Sequence, residues 1–279
     1  MTTQPDSPVL DEFFAGYDAA FVLPDEKEYL EGFRACLALG HPPMRAQLLK
    51  RYGPHVEVVA VARDGQGGAM IGGLNFIAYP LAGDTVSGNL NYIFVAPAMR
   101  GRGYFRRLVA ASEDLAASLF DLANPRVLTF IELNDPLVLS DEAYALDSRI
   151  AGVDQFDRLA IWARLGAQVV DFPYVQPPLS AYQEADSGLV YAVLGAEGSL
   201  DPLLLKAHLE RFFGISVLKG EDPMSVPVAA RQLAALESLA TRGERVALID
   251  PMPGIEAGRA LRHAGGERPE SFRAFLRQG

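Results

Sequence analysis

Arg100, Gly101, Arg102 and Gly103 hold the chemistry most plainly written in this chain. The two glycines let the backbone adopt unusual dihedrals and come close to a ligand, and the two guanidiniums add positive charge. They follow an extended apolar run, residues 92–95, whose β-branched and aromatic content reads as a buried strand ended by Pro97. They precede a segment with apolar residues at Phe105, Leu108, Leu115, Leu119 and Leu122, which reads as a helix. A strand, a glycine turn and a helix start in succession point several backbone N–H groups at one place, and that place suits a phosphate.

Rival phosphate loops fail on spacing and context. Gly65, Gly67, Gly68, Gly72 and Gly73 cluster between two strand-like runs, which is hairpin chemistry and not a strand-to-helix turn. No G-x-x-x-x-G-K-[ST] occurs, so a P-loop nucleotide hydrolase is excluded. The elements that must position the turn are three successive antiparallel strands, residues 56–63, 69–79 and 85–95, then the helix after Gly103, then a strand over residues 126–133. Ahead of them, residues 1–8 read as a frayed tail and residues 19–23 as a weak strand. Pro24, Asp25, Glu26 and Glu28 read as the start of a helix with an apolar face at Leu30, Phe33 and Leu37, and residues 44–52 as a second short helix.

The motif V-x-P followed by R-G-x-G and an apolar helix resembles the acetyl-CoA-binding motif of the GNAT acetyltransferase superfamily. Its pattern is R/Q-x-x-G-x-G/A; Arg100 matches the first position and Gly103 the fourth, while Phe105 stands at the sixth. The resemblance covers residues 30–194 in its order of elements. It implies an α/β (α+β) fold with a mixed, mostly antiparallel sheet flanked by helices, and acetyl-CoA as co-substrate. It also implies that backbone groups of Arg100, Gly101, Arg102, Gly103, Tyr104 and Phe105 hold the pyrophosphate. Phe94 and Val95 would hold the pantetheine arm, and the strand over residues 126–133, ending beside Asn134, would flank it.

Acyl transfer to an amine needs an unprotonated amine, a polarised carbonyl and a proton for the departing thiolate. Asn89 and Asn91 occupy the inward positions where many family members carry a base, and neither is one. Glu132 is the expected proton acceptor, because Phe130, Glu132 and Asn134 alternate onto one face of their strand. The family's usual acid is a Tyr four residues before the glycine that ends the late helix; counting back from Gly166 gives Trp162, which reads as packing. Tyr144 or Tyr92 is the substitute, with Tyr144 taken as the candidate. His41, His55, His208 and His263 lack ligand spacing, so no metal is expected.

Residues 135–157 interrupt the family's order as an insertion before the helical run FDRLAIWARLGA. They hold Asp135, Asp141, Glu142, Asp147, Asp154 and Asp157 against a single Arg149, which suggests attraction of a small cationic amine. Residues 168–175 and 188–194 read as a final hairpin. Residues 1–195 are thus expected to form the acyl-CoA-binding domain. Residues 196–279 should form a helical extension, with helices at 202–213 and 226–241, packed on the core or forming a homodimer.

With 279 residues and 49% hydrophobic content, the chain can bury a substantial core. A formal charge of −10 and no Lys/Arg-rich run argue against nucleic acid as partner. Apolar runs fall short of a membrane span and the start MTTQPDSP lacks signal-peptide features, so a cytoplasmic protein is expected. The single cysteine, Cys36, excludes an internal disulfide and reads as a buried thiol. The expected function is an acyl-CoA-dependent N-acetyltransferase acting on a small-molecule amine. The alternative is a catalytically degenerate acyl-CoA-binding regulatory or interaction protein.

Overall fold

The computed structural model describes residues 1–23, 27–65, 67–180 and 182–278. The chain divides into two compact units, Met1–Thr129 with His208–Pro223, and Phe130–Ala207 with the stretch from Met224. The fold is mixed α/β, with a mostly antiparallel open sheet flanked by helices.

The first unit begins with a pairing of Thr2 to Val59, Thr2 N donating to Val59 O at 2.8 Å, so the start of the chain is tied down and not frayed. Helix α1 spans Pro8–Ala20, capped by the Ser7 side chain with Pro8 in its first turn, and buries Leu10, Phe13 and Tyr17. The weak strand expected at residues 19–23 is therefore replaced by the end of this helix and its exit. The expected helix start at Pro24, Asp25 and Glu26 lies outside the described residues, as does Gln66 in the glycine cluster. Helix α2 spans Leu30–Ala38, burying Phe33, Cys36 and Leu37, and α3 spans Met44–Tyr52.

Strands β1 (Val56–Arg63), β2 (Met70–Leu81) and β3 (Thr85–Val95) pair antiparallel in sequence. Helix α4 (Tyr104–Ser118) leads to β4 (Arg126–Asn134), whose start lies next to β3. One face of these strands meets α1 and α2 in a cluster of Leu10, Phe13, Tyr17, Phe33, Leu37, Val59 and Phe94. Tyr92 joins it edge-on to Tyr17, with ring centroids 4.7 Å apart.

The second unit orders its strands β4-β6-β5-β8-β7. The insertion is a helix, α5 (Asp141–Ala151), followed by α6 (Gln155–Arg164), where Trp162 is buried as expected for packing. The hairpin strands are β5 (Gln168–Val170) and β6 (Leu189–Leu194). The extension is not wholly helical. Strand β7 (Ser199–Leu200) precedes α7 (Pro202–Phe212), a π-helical turn Phe213–Val217 and α8 (Pro227–Thr241), of which His208–Pro223 are counted with the first unit. Strand β8 (Val246–Ile249) then pairs with both β5 and β7, ahead of α9 (Met252–His263) and α10 (Phe272–Leu276). No helix among the described residues is long and apolar enough to cross a membrane.

Candidate functional site

The glycine turn forms as its residue types require. Ala96 N donates to Ile71 O at 2.8 Å, which pins the end of β3 to the start of β2. Pro97–Met99 make one 3-10 turn, and Gly101 and Gly103 then take φ of 73° and 75°. A Cβ added at either glycine would meet nothing within 4 Å, so the requirement is one of backbone dihedral and not of space. Gly103 is the N-cap of α4, and no side chain caps that helix.

The electrostatics of this helix start are set by its arginines. Helix N-termini favour acidic residues, because free N–H groups and the macrodipole make them positive. Helices α1, α5 and α6 follow that rule with a Ser or Asp cap and an acid in the first turn, whereas α3, α8 and α9 have neither. Helix α4 has no acid there and instead places Arg106 and Arg107 beside the N-terminus, with Arg100 and Arg102 just before it. Arg100 Nε donates to Val95 O at 3.3 Å, which folds the turn back onto the end of β3. Among the described residues Arg102, Arg106 and Arg107 make no ion pair. Arg107 lies over the Tyr104 ring at 5.4 Å. Phe105 is half-buried, Phe94 is buried, and Val95 is half-buried at the strand end. Positive charge thus accumulates where free N–H groups already point, an arrangement that an anion relieves.

Glu132, Asn134 and Tyr144 belong to the second unit. Glu132 is half-buried on β4 and accepts a hydrogen bond from the Tyr174 hydroxyl. Tyr174 stacks on Tyr191 with centroids 4.1 Å apart, and burial, with Glu132 beside it, pushes its phenol well above the usual range. Asn134 is buried at the end of β4. Tyr144 donates to Asp154, and the Arg262 guanidinium covers its ring at 4.0 Å. Burial, then the bond to Asp154, raises its pKa, so Tyr144 holds its proton and is committed to a carboxylate.

The insertion does not present the uncompensated negative charge expected from its sequence. Asp141 pairs with Arg262 and Arg268, both at 2.9 Å, and Asp147 pairs with Arg158 at 2.8 Å. Arg259 takes both Asp154 and Asp157, at 2.7 and 2.6 Å. Asp135 is fully buried and accepts from the backbone N–H groups of Phe272 at 2.6 Å and Leu137 at 2.9 Å. The partners come from α6, α9 and the chain just beyond, more than a hundred residues away for Arg259, Arg262 and Arg268. Local counting of charges around Arg149 could not find them.

Sequence reasoning also passed over a titratable group in the first unit. Glu57 on β1 is buried, and its Oε1 accepts from Asn75 Nδ2 at 2.7 Å and Asn91 Nδ2 at 3.1 Å. Its Oε2 accepts from Ser216 Oγ at 2.8 Å, in the π-helical turn. Burial raises its pKa from 4.5 to about 7 in spite of these bonds. The signal was an acid within the strand run VEVVAVAR, with Asn75, Asn89 and Asn91 in the two strand runs that follow it. His208 is fully buried, with Nδ1 2.8 Å from the Tyr79 hydroxyl and 2.9 Å from Ser87 Oγ. Desolvation pushes its pKa down, so it is a neutral core histidine. No cluster of His, Cys, Asp or Glu that could hold a metal ion is found among the described residues.

No family model matches the chain, and no curated protein does. Among solved structures, an aminoglycoside 6'-N-acetyltransferase complexed with coenzyme A is similar at 15% identity and a TM-score of 0.37, over 68% of this chain and 92% of that one. A protein assigned to the GNAT acetyltransferases from Desulfovibrio desulfuricans is similar at 17% identity and a TM-score of 0.35, over 68% and 92%. Arabidopsis thaliana NAA60 in complex with acetyl-CoA is similar at 13% identity and a TM-score of 0.34, over 68% and 93%. At such TM-scores these likenesses carry no functional weight by themselves. The order of elements through β6 is nonetheless the one that the GNAT resemblance implies.

Proposed function

We propose that this protein is an N-acyltransferase that moves the acetyl group of acetyl-CoA to a small amine, with the CoA pyrophosphate on residues 100–105. The observation that carries the reading is the N-terminus of α4. It has a left-handed Gly103, no side-chain cap, no acid in its first turn, and Arg102, Arg106 and Arg107, which make no ion pair among the described residues. Acetyl-CoA supplies an activated thioester, so the protein need contribute no nucleophile. Backbone groups of Arg100, Gly101, Arg102, Gly103, Tyr104 and Phe105 bind phosphate oxygens, and those of Phe94 and Val95 orient the pantetheine arm. Asn134, at the end of β4 in the second unit, is the further cofactor contact that the GNAT resemblance implies.

Glu132, oriented by the Tyr174 hydroxyl, takes the proton that the nitrogen loses during attack. Tyr144 is the candidate donor to the thiolate, though its bond to Asp154 must first break. In this reading residues 1–195 bind acyl-CoA and residues 196–279 brace them. The preference for a cationic acceptor cannot come from the insertion, whose carboxylates are largely neutralised. Thiol release from acetyl-CoA over a panel of amines tests the proposal. Release dependent on an amine supports it, whereas binding without turnover with any amine makes the protein an acyl-CoA-binding regulator instead.

A further inference from the structure

The first unit contains a polar network built around one buried carboxylate, Glu57. Along β2 and β3 the register shifts, so that Asn75 faces Tyr92 and Phe76 faces Leu90, leaving Asn91 as the extra residue of a β-bulge. Bulges re-aim a side chain. Here Asn91 Nδ2 reaches both Glu57 Oε1 and Asn75 Oδ1, each at 3.1 Å, while its Oδ1 accepts from Asn89 Nδ2 at 3.0 Å. Ser216, which completes the shell of Glu57, lies in a π-helical turn, a second departure from regular geometry at the same carboxylate. Bulges and π-turns both concentrate at functional sites.

No cation pairs with Glu57 among the described residues; its three donors are neutral. Its charge is felt by the buried Cys36 thiol on α2 and the Tyr79 phenol on β2, and in each it adds to the upward shift that burial causes first. Lys219, beyond the π-turn, is committed to Glu28 ahead of α2 at 2.8 Å. A buried carboxylate with three donors retains one acceptor position, and here it is on Oε2. From Glu57 the network passes through Asn91, which is half-buried, to the part of β3 that is least covered, residues 91–93. Asn91 precedes Phe94 by three residues, about 10 Å along the strand.

We propose that Glu57 is a second proton acceptor of the transfer site, the group that deprotonates a cationic acceptor docked at Asn91. This rests on the acyltransferase reading and names its acceptor class, a primary alkylammonium. The N–H bond of the ammonium breaks, its proton moves to the Glu57 carboxylate, and the electron pair remains on nitrogen. That nitrogen then bonds the acyl carbon, the C–S bond breaks with its pair leaving on sulfur, a second nitrogen proton is lost to water, and the thiolate takes up one proton from water. The proton on Glu57 returns to solvent after release.

The test is thiol release from acetyl-CoA with 1,4-diaminobutane, 2-phenylethylamine and Nα-acetyl-lysine methyl ester as probes. Acetyl-CoA affinity is measured in parallel by calorimetry. For the best probe, wild-type kcat/KM should show an acidic limb near the pKa of about 7 of Glu57. Glu57→Gln should bind acetyl-CoA normally, lose about 10²-fold in kcat and lose that limb; Glu57→Asp should recover part of the rate. Ser216→Ala removes a bond to the charged carboxylate and should move the limb to higher pH, an effect that survives if the Glu57 variants fold poorly. Glu57→Gln with wild-type kcat and an unchanged limb overturns the assignment, as does Ser216→Ala with the limb unmoved. Failure of the wild type to bind acetyl-CoA removes the acyltransferase reading itself, and binding without release to any of the three amines removes the acceptor class.

Discussion

Glu57→Gln should make the protein more stable at pH 8 and leave it nearly unchanged at pH 4. In the folded chain the carboxyl has its pKa raised from 4.5 to about 7, with burial the largest cause. Between those values the folded state holds a proton that the unfolded chain has lost, so wild-type stability falls as pH rises through this window and levels off above it. A pKa difference of this size corresponds to roughly 3 kcal/mol, a large part of a typical folding free energy. Glutamine keeps an acceptor for the Asn75 and Asn91 amides and turns an N–H toward Ser216 Oγ, which can accept it. The variant should therefore lack this pH dependence. The assay is urea unfolding of both proteins from pH 4 to 8.5, following the difference in unfolding free energy. A difference that grows by about 2–3 kcal/mol in favour of the variant is expected. A difference independent of pH would refute the raised pKa, and with it the picture of a carboxylate buried without a cation.

Three further outcomes follow from the same geometry. Arg262 is buried and donates to the carbonyls of Pro136 and Leu139 and to Asp141, so Arg262→Ala should cost about 3 kcal/mol in unfolding experiments and Arg262→Lys should not restore it. Glu132→Gln should lower kcat about 10²-fold with acetyl-CoA affinity unchanged; a rate within about twofold of wild type would assign that proton to solvent. Arg106→Gln should weaken acetyl-CoA binding and reduce its salt dependence, measured by calorimetry from low to physiological ionic strength, because an exposed guanidinium acts through a screened field.

Where the sequence was legible, local physics decided the structure. Strands β1 and β3 and helix α3 form over the residues read for them, because period-2 alternation, flanking turn residues and proline punctuation leave little choice. The glycine turn was legible for the same reason, since left-handed backbone at Gly101 and Gly103 is written in the residue type. Helix α1 is less legible, since the polar first residues read as a tail even though Ser7 and Pro8 announce a helix and Leu10, Phe13 and Tyr17 keep helical spacing. Strand β8 is four residues long and exists through its pairing with β5 and β7, which no local pattern reveals. The charge state of the insertion failed likewise: Arg259, Arg262 and Arg268 reach it from the far end of the chain. Glu57 looked like one polar residue in a strand, and only the bulge at Asn91 and the π-turn at Ser216 give it a shell.

The most direct test of the central claim is calorimetric titration of acetyl-CoA into wild type and Gly103→Val, with acetyl-pantetheine, which lacks the pyrophosphate, as the companion ligand. Valine at a φ of 75° strains the turn and displaces the N–H groups at the start of α4, while nothing within 4 Å blocks a Cβ, so the rest of the fold should survive. Wild type should bind acetyl-CoA far more tightly than acetyl-pantetheine, and Gly103→Val should lose about tenfold or more for acetyl-CoA with little change for acetyl-pantetheine. Equal acetyl-CoA affinity in wild type and the folded variant, or no preference of wild type for the ligand carrying the pyrophosphate, would contradict the assignment of residues 100–105.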